Sequence, residues 1–533
     1  MDQSAVRLNG VSHSFDGDVL VLNDISSHVS NTRIAVVGDN GSGKSTLLRI
    51  IAGTISPSHG SVVLGSAPYF MAQNRSPDDN RTVAEFLGVE WFLRSSERLE
   101  EGNYNEEDLA YLSDKWELAS LLESVKEEWF PQLEYSRLIS EISGGEFANL
   151  GLARAQIAKP RICLLDEPSN NLDFAGRERL VRFIADFKYT LIVATHDRNI
   201  MDCFDKIWEI RDGRLTQIDG SFADYLNHVK NRRAEATHEL NKARKEVKRL
   251  KSSLRELEQR QSIRRNCNQR ASIQKRGSKM SMNGLKSKSE GTLSRQRSQL
   301  TEKRQDAAET ELAAKNNIEK EHTMRLDGLL SDQEGSRRQI ICLSSCTGWQ
   351  TIIGGDDRVA LVGANGVGKS RLIASINNSS LRCSGPAWAE PLTPDLESIG
   401  ILSQNSLHLD HSKTIWDELV QGIPNLERQR VFAVIARLDF SSATPDSLVS
   451  ELSGGEQFRL SLAKLLLATP PKQLIVLDEP TNSLDIQSLR EVRDLLSQFE
   501  GALLVISHDR DFLESLSITR WLELSSSGLS ELA

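Results

Sequence analysis

The chain alternates apolar and polar positions at its start, through Val6, Leu8, Val11 and then Val19 and Val21, which predicts short antiparallel strands. Continuous apolar runs follow at Ile34–Val37, Ile162–Leu165 and Leu191–Ala194, each predicting a strand buried on both faces. The same succession returns at Val359–Val362, at Leu474–Leu477 and in the run before Ser507. Between the two series lies a different pattern. Leu240, Val247, Leu250, Leu254 and Leu257 recur at the spacing of a helical seam, which lapses through Arg264, Arg265, Arg270, Lys275, Arg276 and Lys279. A weaker helical pattern resumes at Leu300, Ala307, Leu312 and Ile318, and no proline occurs between Pro168 and Pro386. The expected architecture is α/β, with two repeated domains at 1–222 and 331–533 joined at 223–330 by an antiparallel helical hairpin.

Charge sharpens the middle segment. Residues 231–320 hold 24 Lys and Arg against 11 Asp and Glu, a net +13, whereas the 533-residue chain carries −9 overall. A basic element on an acidic body points to a polyanionic partner, the alternative being a solvated charged linker. Lys279–Lys286, with Met280 and Met282, is the expected hairpin tip. No apolar run reaches the roughly 18 residues that span a membrane. Six scattered cysteines without a paired spacing argue against a zinc site or disulfide framework and for a reducing, cytoplasmic compartment.

The apolar strands end in chemistry. Ile34–Val37 runs into Gly38, Asp39, Asn40, Gly41, Ser42, Gly43, Lys44 and Ser45, a complete GxxxxGKS followed by Thr46 and a helical run. Glycines let backbone N–H groups face phosphates, the lysine reaches the β/γ oxygens, and the serine hydroxyl suits Mg²⁺. Ser143, Gly144, Gly145 and Glu146 precede a helix, and the next strand ends in Asp166, Glu167 and Pro168. One carboxylate suits the metal and the other the attacking water. Asn171-Leu172-Asp173 follows, and the last strand delivers His196, placed for a γ-phosphate.

Every element repeats. Gly363, Ala364, Asn365, Gly366, Val367, Gly368, Lys369 and Ser370 form the second phosphate loop, 325 residues after the first. Ser453, Gly454, Gly455 and Glu456 follow at an offset of 310; Asp478, Glu479 and His508 follow at 312. The second copy is therefore 15 residues shorter between its phosphate loop and its Ser-Gly-Gly element.

This ordered set, occurring twice, resembles the ATP-binding cassette superfamily. Two cassettes in one chain, a charged linker and His-Asp-Arg after each final strand resemble its ABC-F branch of ribosome-associated ATPases. The resemblance implies a P-loop NTPase core with an antiparallel β-subdomain and a helical subdomain in each cassette, and a coiled-coil linker. It implies two ATP and Mg²⁺ sites between cassettes facing head to tail within a monomer. One site would combine Gly38–Ser45, Gln73, Asp166, Glu167 and His196 with Ser453–Glu456. The other would combine Gly363–Ser370, Gln404, Asp478, Glu479 and His508 with Ser143–Glu146. Ser45, Gln73, Asp166, Ser370, Gln404 and Asp478 would serve the metal, Glu167 and Glu479 would be the catalytic carboxylates, and Phe15 would stack on adenine. Two departures stand out: no clear equivalent of Phe15 precedes the second loop, where Trp349 is a weak substitute, and Arg371 replaces Thr46. Unequal turnover at the two sites is the expectation.

The resemblance also implies that the linker enters the tRNA exit site of the 70S ribosome, near P-site tRNA and rRNA. Within the branch, the extended basic linker favours antibiotic-resistance ribosome protection over a housekeeping translation factor. A transporter ATPase has no use for such a linker. DNA-repair and chromosome-maintenance relatives carry coiled coils inside a cassette or zinc-binding cysteines, so no DNA partner is expected. A non-enzymatic scaffold does not account for two intact carboxylate pairs.

Overall fold

The computed structural model describes residues 3, 5–15, 19–39, 41–73, 79–274, 298–312, 339–378, 381, 385–392, 398–403, 409–422, 432, 435, 438, 440, 444–468, 471–484 and 486–532. Asn40, Gln404 and the expected linker tip lie outside them. The chain divides into two compact units, one holding Met1–Phe222 with His322–Ala533, the other Ala223–Glu321.

In the first cassette the opening alternation becomes β1 (Val6–Phe15) and β2 (Val19–Val29), paired antiparallel, with β4 (His59–Leu64) on the other edge of β1. The six-stranded sheet runs β5 (Tyr69–Met71), β6 (Ile162–Asp166), β7 (Thr190–Ala194), β3 (Arg33–Val37), β8 (Lys206–Arg211) and β9 (Arg214–Asp219). β5, β6, β7, β3 and β8 are parallel. Its central strands are buried at every position because both faces are covered.

The second cassette repeats this plan. A small antiparallel sheet orders β11 (Gln350–Gly354), β10 (Gln339–Ser345) and β13 (Ala387–Pro391). The larger sheet runs β14 (Ile399–Ser403), β15 (Leu474–Asp478), β16 (Ala502–Ile506), β12 (Arg358–Val362), β17 (Arg520–Ser525) and β18 (Gly528–Leu532). Register repeats residue for residue. Ala194 pairs with Val36 and Asp166 in one sheet; Ile506 pairs with Leu361 and Asp478 in the other. Parallel strands in this order bring the phosphate loop, the carboxylate pair and the histidine to one sheet edge, where ligands of α/β folds bind.

The shortening of the second copy falls in the helical region. The first cassette carries helices Val83–Leu87, Glu90–Glu100, Glu106–Asp114 and Trp116–Trp129 ahead of its Ser-Gly-Gly element, and the second carries Ile415–Gly422 in the corresponding stretch. The first and third of these open on capping boxes at Thr82 and Asn105, which satisfy N–H groups that a helix start leaves unpaired.

The other unit is helical where it is described. One helix runs from Phe222 to Gln274, 53 residues, about 80 Å at 1.5 Å per residue. It continues through Arg264, Arg265 and Arg270, where the apolar seam lapses, because arginine is a good helix former. Leu240 and Leu254 are buried, and Val247 and Leu250 are half-buried. Residues 298–312 are also helical, and Arg244 pairs with Glu311 at 3.6 Å, so the chain returns alongside itself. Ile318 lies outside the described residues. Among the described residues no helix is long and apolar enough to cross a membrane.

Candidate functional site

Each phosphate loop leaves its strand through a glycine that accepts no side chain. A Cβ on Gly38 would lie 2.4 Å from the Ile210 carbonyl oxygen, and one on Gly363 would lie 2.2 Å from that of Leu524. Gly43 and Gly368 cap the following helices in left-handed conformation, with φ 101° and 108°. At Gly43 a Cβ would also stand 2.8 Å from both Val21 and Leu22.

Both lysines are buried and bind their own loops. Lys44 Nζ donates to the Gly38 and Asp39 carbonyls at 2.8 and 3.0 Å. Lys369 Nζ donates to Gly363 and Ala364 at 2.6 and 3.2 Å, and to His508 Nε2 at 2.9 Å. Ser45 Oγ donates to Asp166 Oδ1 at 2.9 Å. The Ser370 hydroxyl likewise bonds Asp478 and opposes the rise in its pKa that burial causes. Asp166 Oδ2 is buried without a hydrogen-bond partner. A carboxylate oxygen left over beside a serine hydroxyl, with Gln73 on the same cavity wall, fits a hard divalent cation that keeps several waters, as Mg²⁺ does. Among the described residues no cluster of three or more His, Cys, Asp or Glu offers a denser metal cage.

Glu167 and Glu479 both hold φ at 49°, a left-handed backbone that a glutamate adopts only when its surroundings impose it. Strand hydrogen bonds impose it here: Glu167 N donates to the Ala194 carbonyl and Glu479 N to that of Ile506, each at 2.9 Å. Their carboxylates meet the histidines, with His196 Nε2 to Glu167 Oε1 at 3.4 Å and His508 Nε2 to Glu479 Oε1 at 3.3 Å. Burial pushes Glu167 well above the carboxylate range and Glu479 up to about 7, and it pushes His508 down to about 3. At neutral pH His508 is therefore uncharged. Its closeness to Glu479 is thus not an ion pair, and its Nε2 lone pair faces Lys369 Nζ. Pairing a buried acid near neutrality with a neutral imidazole suits proton transfer to and from water.

The two cassettes meet at these elements. A cavity of about 730 Å³ brings together Phe15, Gly41, Gly43, Lys44, Ser45, Thr46, Gln73, Glu167 and His196 of the first cassette. The opposite wall is Ser453, Gly454, Thr481, Leu484 and Leu489 of the second. That volume lies within the range of roughly 300–1,000 Å³ usual for small-molecule sites. Phe15, at the end of β1, is 47 % exposed and touches the edge of His13 at 4.8 Å between ring centroids, leaving area for a flat ligand. Asp166 stands behind Ser45 and not on the wall.

At the second site the opposed loops touch directly. The Asn365 side-chain amide donates to the Asn171 carbonyl, and Asn365 N lies 3.4 Å from Asp173 Oδ2. A Cβ on Gly145 would come within 2.6 Å of both Asn171 O and Asn365 Nδ2. Trp349 packs against the hydrophobic core of its own cassette, and the aliphatic part of Arg371 passes Gly385 at 3.8 Å from where a Cβ would stand. Neither reproduces the exposed ring of Phe15.

The Ser-Gly-Gly-Glu motifs turn out to be capping boxes. Ser143 N donates to Glu146 Oε2 at 2.7 Å while Glu146 N donates to Ser143 Oγ at 3.3 Å, and Ser453 with Glu456 repeats the pattern. The glutamates thus hold the helix starts of Gly144–Ala158 and Gly454–Leu466, and the serine and glycine backbone faces across. Sequence reasoning quoted Asn171-Leu172-Asp173 without giving it a task; the structure puts it against the opposite phosphate loop. It overlooked Arg177, whose Nη1 pairs with Asp197 Oδ2 at 2.9 Å, because nothing in the one-dimensional motif singles that arginine out.

The family model described as "ABC transporter" matches residues 22–170 and again 349–482. The energy-dependent translational throttle protein EttA of Escherichia coli (strain K12) is 30 % identical over 528 residues, covering 93 % of this chain and 88 % of its own. The ATP-binding protein Uup of Haemophilus influenzae is 28 % identical over 529 residues, covering 93 % and 75 %. Among solved structures, an RNase-L inhibitor covers 98 % of this chain and 90 % of its own with a TM-score of 0.54; at 17 % identity this speaks for the fold alone. Two phosphate-loop cassettes, matched in duplicate and along nearly the whole chain, place this protein in the ATP-binding cassette family, in its ABC-F branch, as an ATPase.

Proposed function

We propose that the protein is a cytoplasmic, ribosome-associated ATPase that closes its cassettes on two ATP molecules and opens them on hydrolysis. The observation that carries this reading is the cavity walled by the first phosphate loop and the second cassette's Ser453 and Gly454. Lys44 and Lys369 bind the phosphates, and the helix starts at Ser143 and Ser453 face them from the opposite cassette, where the dipole favours negative charge. Ser45, Gln73 and Asp166 hold Mg²⁺ at the first site, and Ser370, Asp478 and Gln404 hold it at the second. When bound, the metal neutralises phosphate charge. Glu167 and Glu479 orient the attacking water and take its proton; His196 and His508 contact the γ-phosphate. Phe15 stacks on adenine at the first site alone. The domain limits we adopt are 1–222, 223–330 and 331–533.

The basic linker is the ribosome-binding element. Its lysines and arginines would neutralise rRNA and tRNA phosphates, releasing counterions and giving salt-sensitive affinity. In the finer reading it enters the tRNA exit site of the 70S ribosome beside P-site tRNA and protects the ribosome from an antibiotic. A second reading, a translation factor acting on stalled ribosomes, is favoured by the likeness to a protein named as a translational throttle.

One experiment tests both. A sensitive bacterial strain would express the wild type or the double Glu167→Gln, Glu479→Gln variant. Its susceptibility to macrolides, lincosamides, pleuromutilins, streptogramins and phenicols would be read with ribosome co-sedimentation. Resistance from the wild type alone supports protection. Unchanged susceptibility, with a toxic double variant retained on ribosomes, supports the translation factor. Absence of both forms from ribosomes overturns the proposal.

A further inference from the structure

Each histidine loop continues into an aspartate, Asp197 after β7 and Asp509 after β16. Both are helix caps: Asp197 Oδ1 accepts from Asn199 N at 3.0 Å, and Asp509 Oδ1 accepts from Phe512 N at 3.0 Å. The two belong to different cassettes yet face one cavity. Burial and the neighbouring negative charge of Asp197 raise the Asp509 pKa, against the pull of Arg177. Like charges brought together away from water repel strongly.

Arg177 is the cation at this meeting point. It projects from the helix Phe174–Asp186, is 12 % exposed at its side chain, and is bonded to Asp197 at 2.9 Å. Its charge also acts on Asp509, Glu479 and His508 of the second cassette. Three residues earlier on the same helix, Phe174 meets the His508 ring edge-on at 5.5 Å. The second copy has a leucine at the equivalent position. Arg177 lies four residues after Asp173, and the residue four after Asp485 is Leu489, which lines the same cavity.

We propose that Arg177 is a cross-cassette positioning residue: one guanidinium, bonded to Asp197 and facing Asp509, ties the two histidine loops together and makes closure at either nucleotide site depend on the other. The inference rests on the reading of the two facing surfaces as composite ATP sites. The guanidinium offsets both anions, so its removal leaves Asp197 and Asp509 facing one cavity without that charge. Removing one partner of a buried charge pair is far more damaging than replacing the set.

The test is steady-state phosphate release by the full-length protein, with affinity for a fluorescent ATP analogue measured alongside. Arg177→Leu should lower kcat roughly tenfold, within the usual range for coupling between sites, and leave analogue affinity nearly unchanged. The loss should appear in both the Glu167→Gln and the Glu479→Gln backgrounds. Arg177→Lys and the relocated cation, Arg177→Leu with Leu489→Arg, should recover most of it. Arg177→Leu with Asp509→Asn should recover part, because asparagine keeps the helix cap and removes one anion. Equal loss in the leucine and lysine variants, or no recovery from both the relocated cation and the removed anion, overturns the proposal. If Arg177→Leu does not fold, the lysine and relocated-cation variants decide it: both keep a cation at the interface, and failure of both to turn over ATP overturns it. The double Glu→Gln variant tests the composite-site reading separately, since it leaves Arg177 in place.

Discussion

The two nucleotide sites share a backbone and differ in what surrounds it. Register, glycine positions, left-handed glutamates and capping boxes repeat from one to the other. Yet the first site presents an exposed Phe15 and an opposing Gly454 at which a Cβ would meet nothing within 4 Å. The second presents Asn365 bonded to Asn171, with Asn171 Nδ2 3.0 Å from where a Cβ on the equivalent Gly144 would stand, and Trp349 is spent on the core. The second copy keeps the phosphate-loop glycines, lysine and serine, and Trp349 does not supply a ring exposed like that of Phe15. The lesson is physical. Phosphate recognition is written in backbone geometry, which tolerates little change, whereas base stacking needs only an aromatic face and is easily lost.

The comparison breaks first at the carboxylates. Replacing Glu167 and Glu479 together by Gln should cut phosphate release by about 10²–10⁴, the usual contribution of a positioned base, with ATP still bound on filters. Each single variant should retain activity, and unequal residual rates would measure the asymmetry between the sites. Equal residual rates would remove it.

Phe15→Ala should raise the ATP KM of the first site about fivefold or more, since base–aromatic stacking contributes about 1–3 kcal/mol, with kcat little changed. The background is Glu479→Gln, which isolates the first site. Trp349→Ala should leave nucleotide affinity alone and lower the melting temperature instead, because that ring packs on the core.

A third effect is read in stability. Burial raises the folded-state pKa of Glu479 from 4.5 to about 7. Stability associated with this group is therefore full below pH 4.5, falls as pH rises, and is lost above about 7, where the buried carboxylate is ionised and Lys369 and Arg177 offset only part of the cost of burial. Glu479→Gln should accordingly melt above the wild type at pH 8, by up to about 3 kcal/mol, and match it near pH 4.5. Glu167→Gln should behave alike, and thermal melts without nucleotide would check both. The smallest expected difference is Arg371→Thr, which restores the first-site residue and should change second-site KM less than about threefold, a surface-scale effect.

Much of this was legible in one dimension. The motif order predicted two α/β cassettes, and strand ends at Asp166, Glu167 and His196 placed these residues at one sheet edge. Hydrophobic runs and glycine spacing are local, so sequence carries them. The long linker helix was legible as a seam but not in its extent, since it begins at Phe222 and passes through the basic stretch where no seam remains. The motif placed Glu146 and Glu456 near the nucleotide; what the sequence did not reveal is that their carboxylates close a local hydrogen-bond ring.

By itself the sequence determined the duplication, the phosphate loops, the carboxylate pairs and the charge of the linker, because each depends on residues near one another in the chain. Only the tertiary structure decided which surfaces face. It set Ser453 and Gly454 opposite Lys44, Asn171 against Asn365, and Arg177 beside two aspartates more than 300 positions apart. Those contacts join residues of different cassettes, and no spacing along a chain encodes a neighbour that arrives only when two folded domains meet.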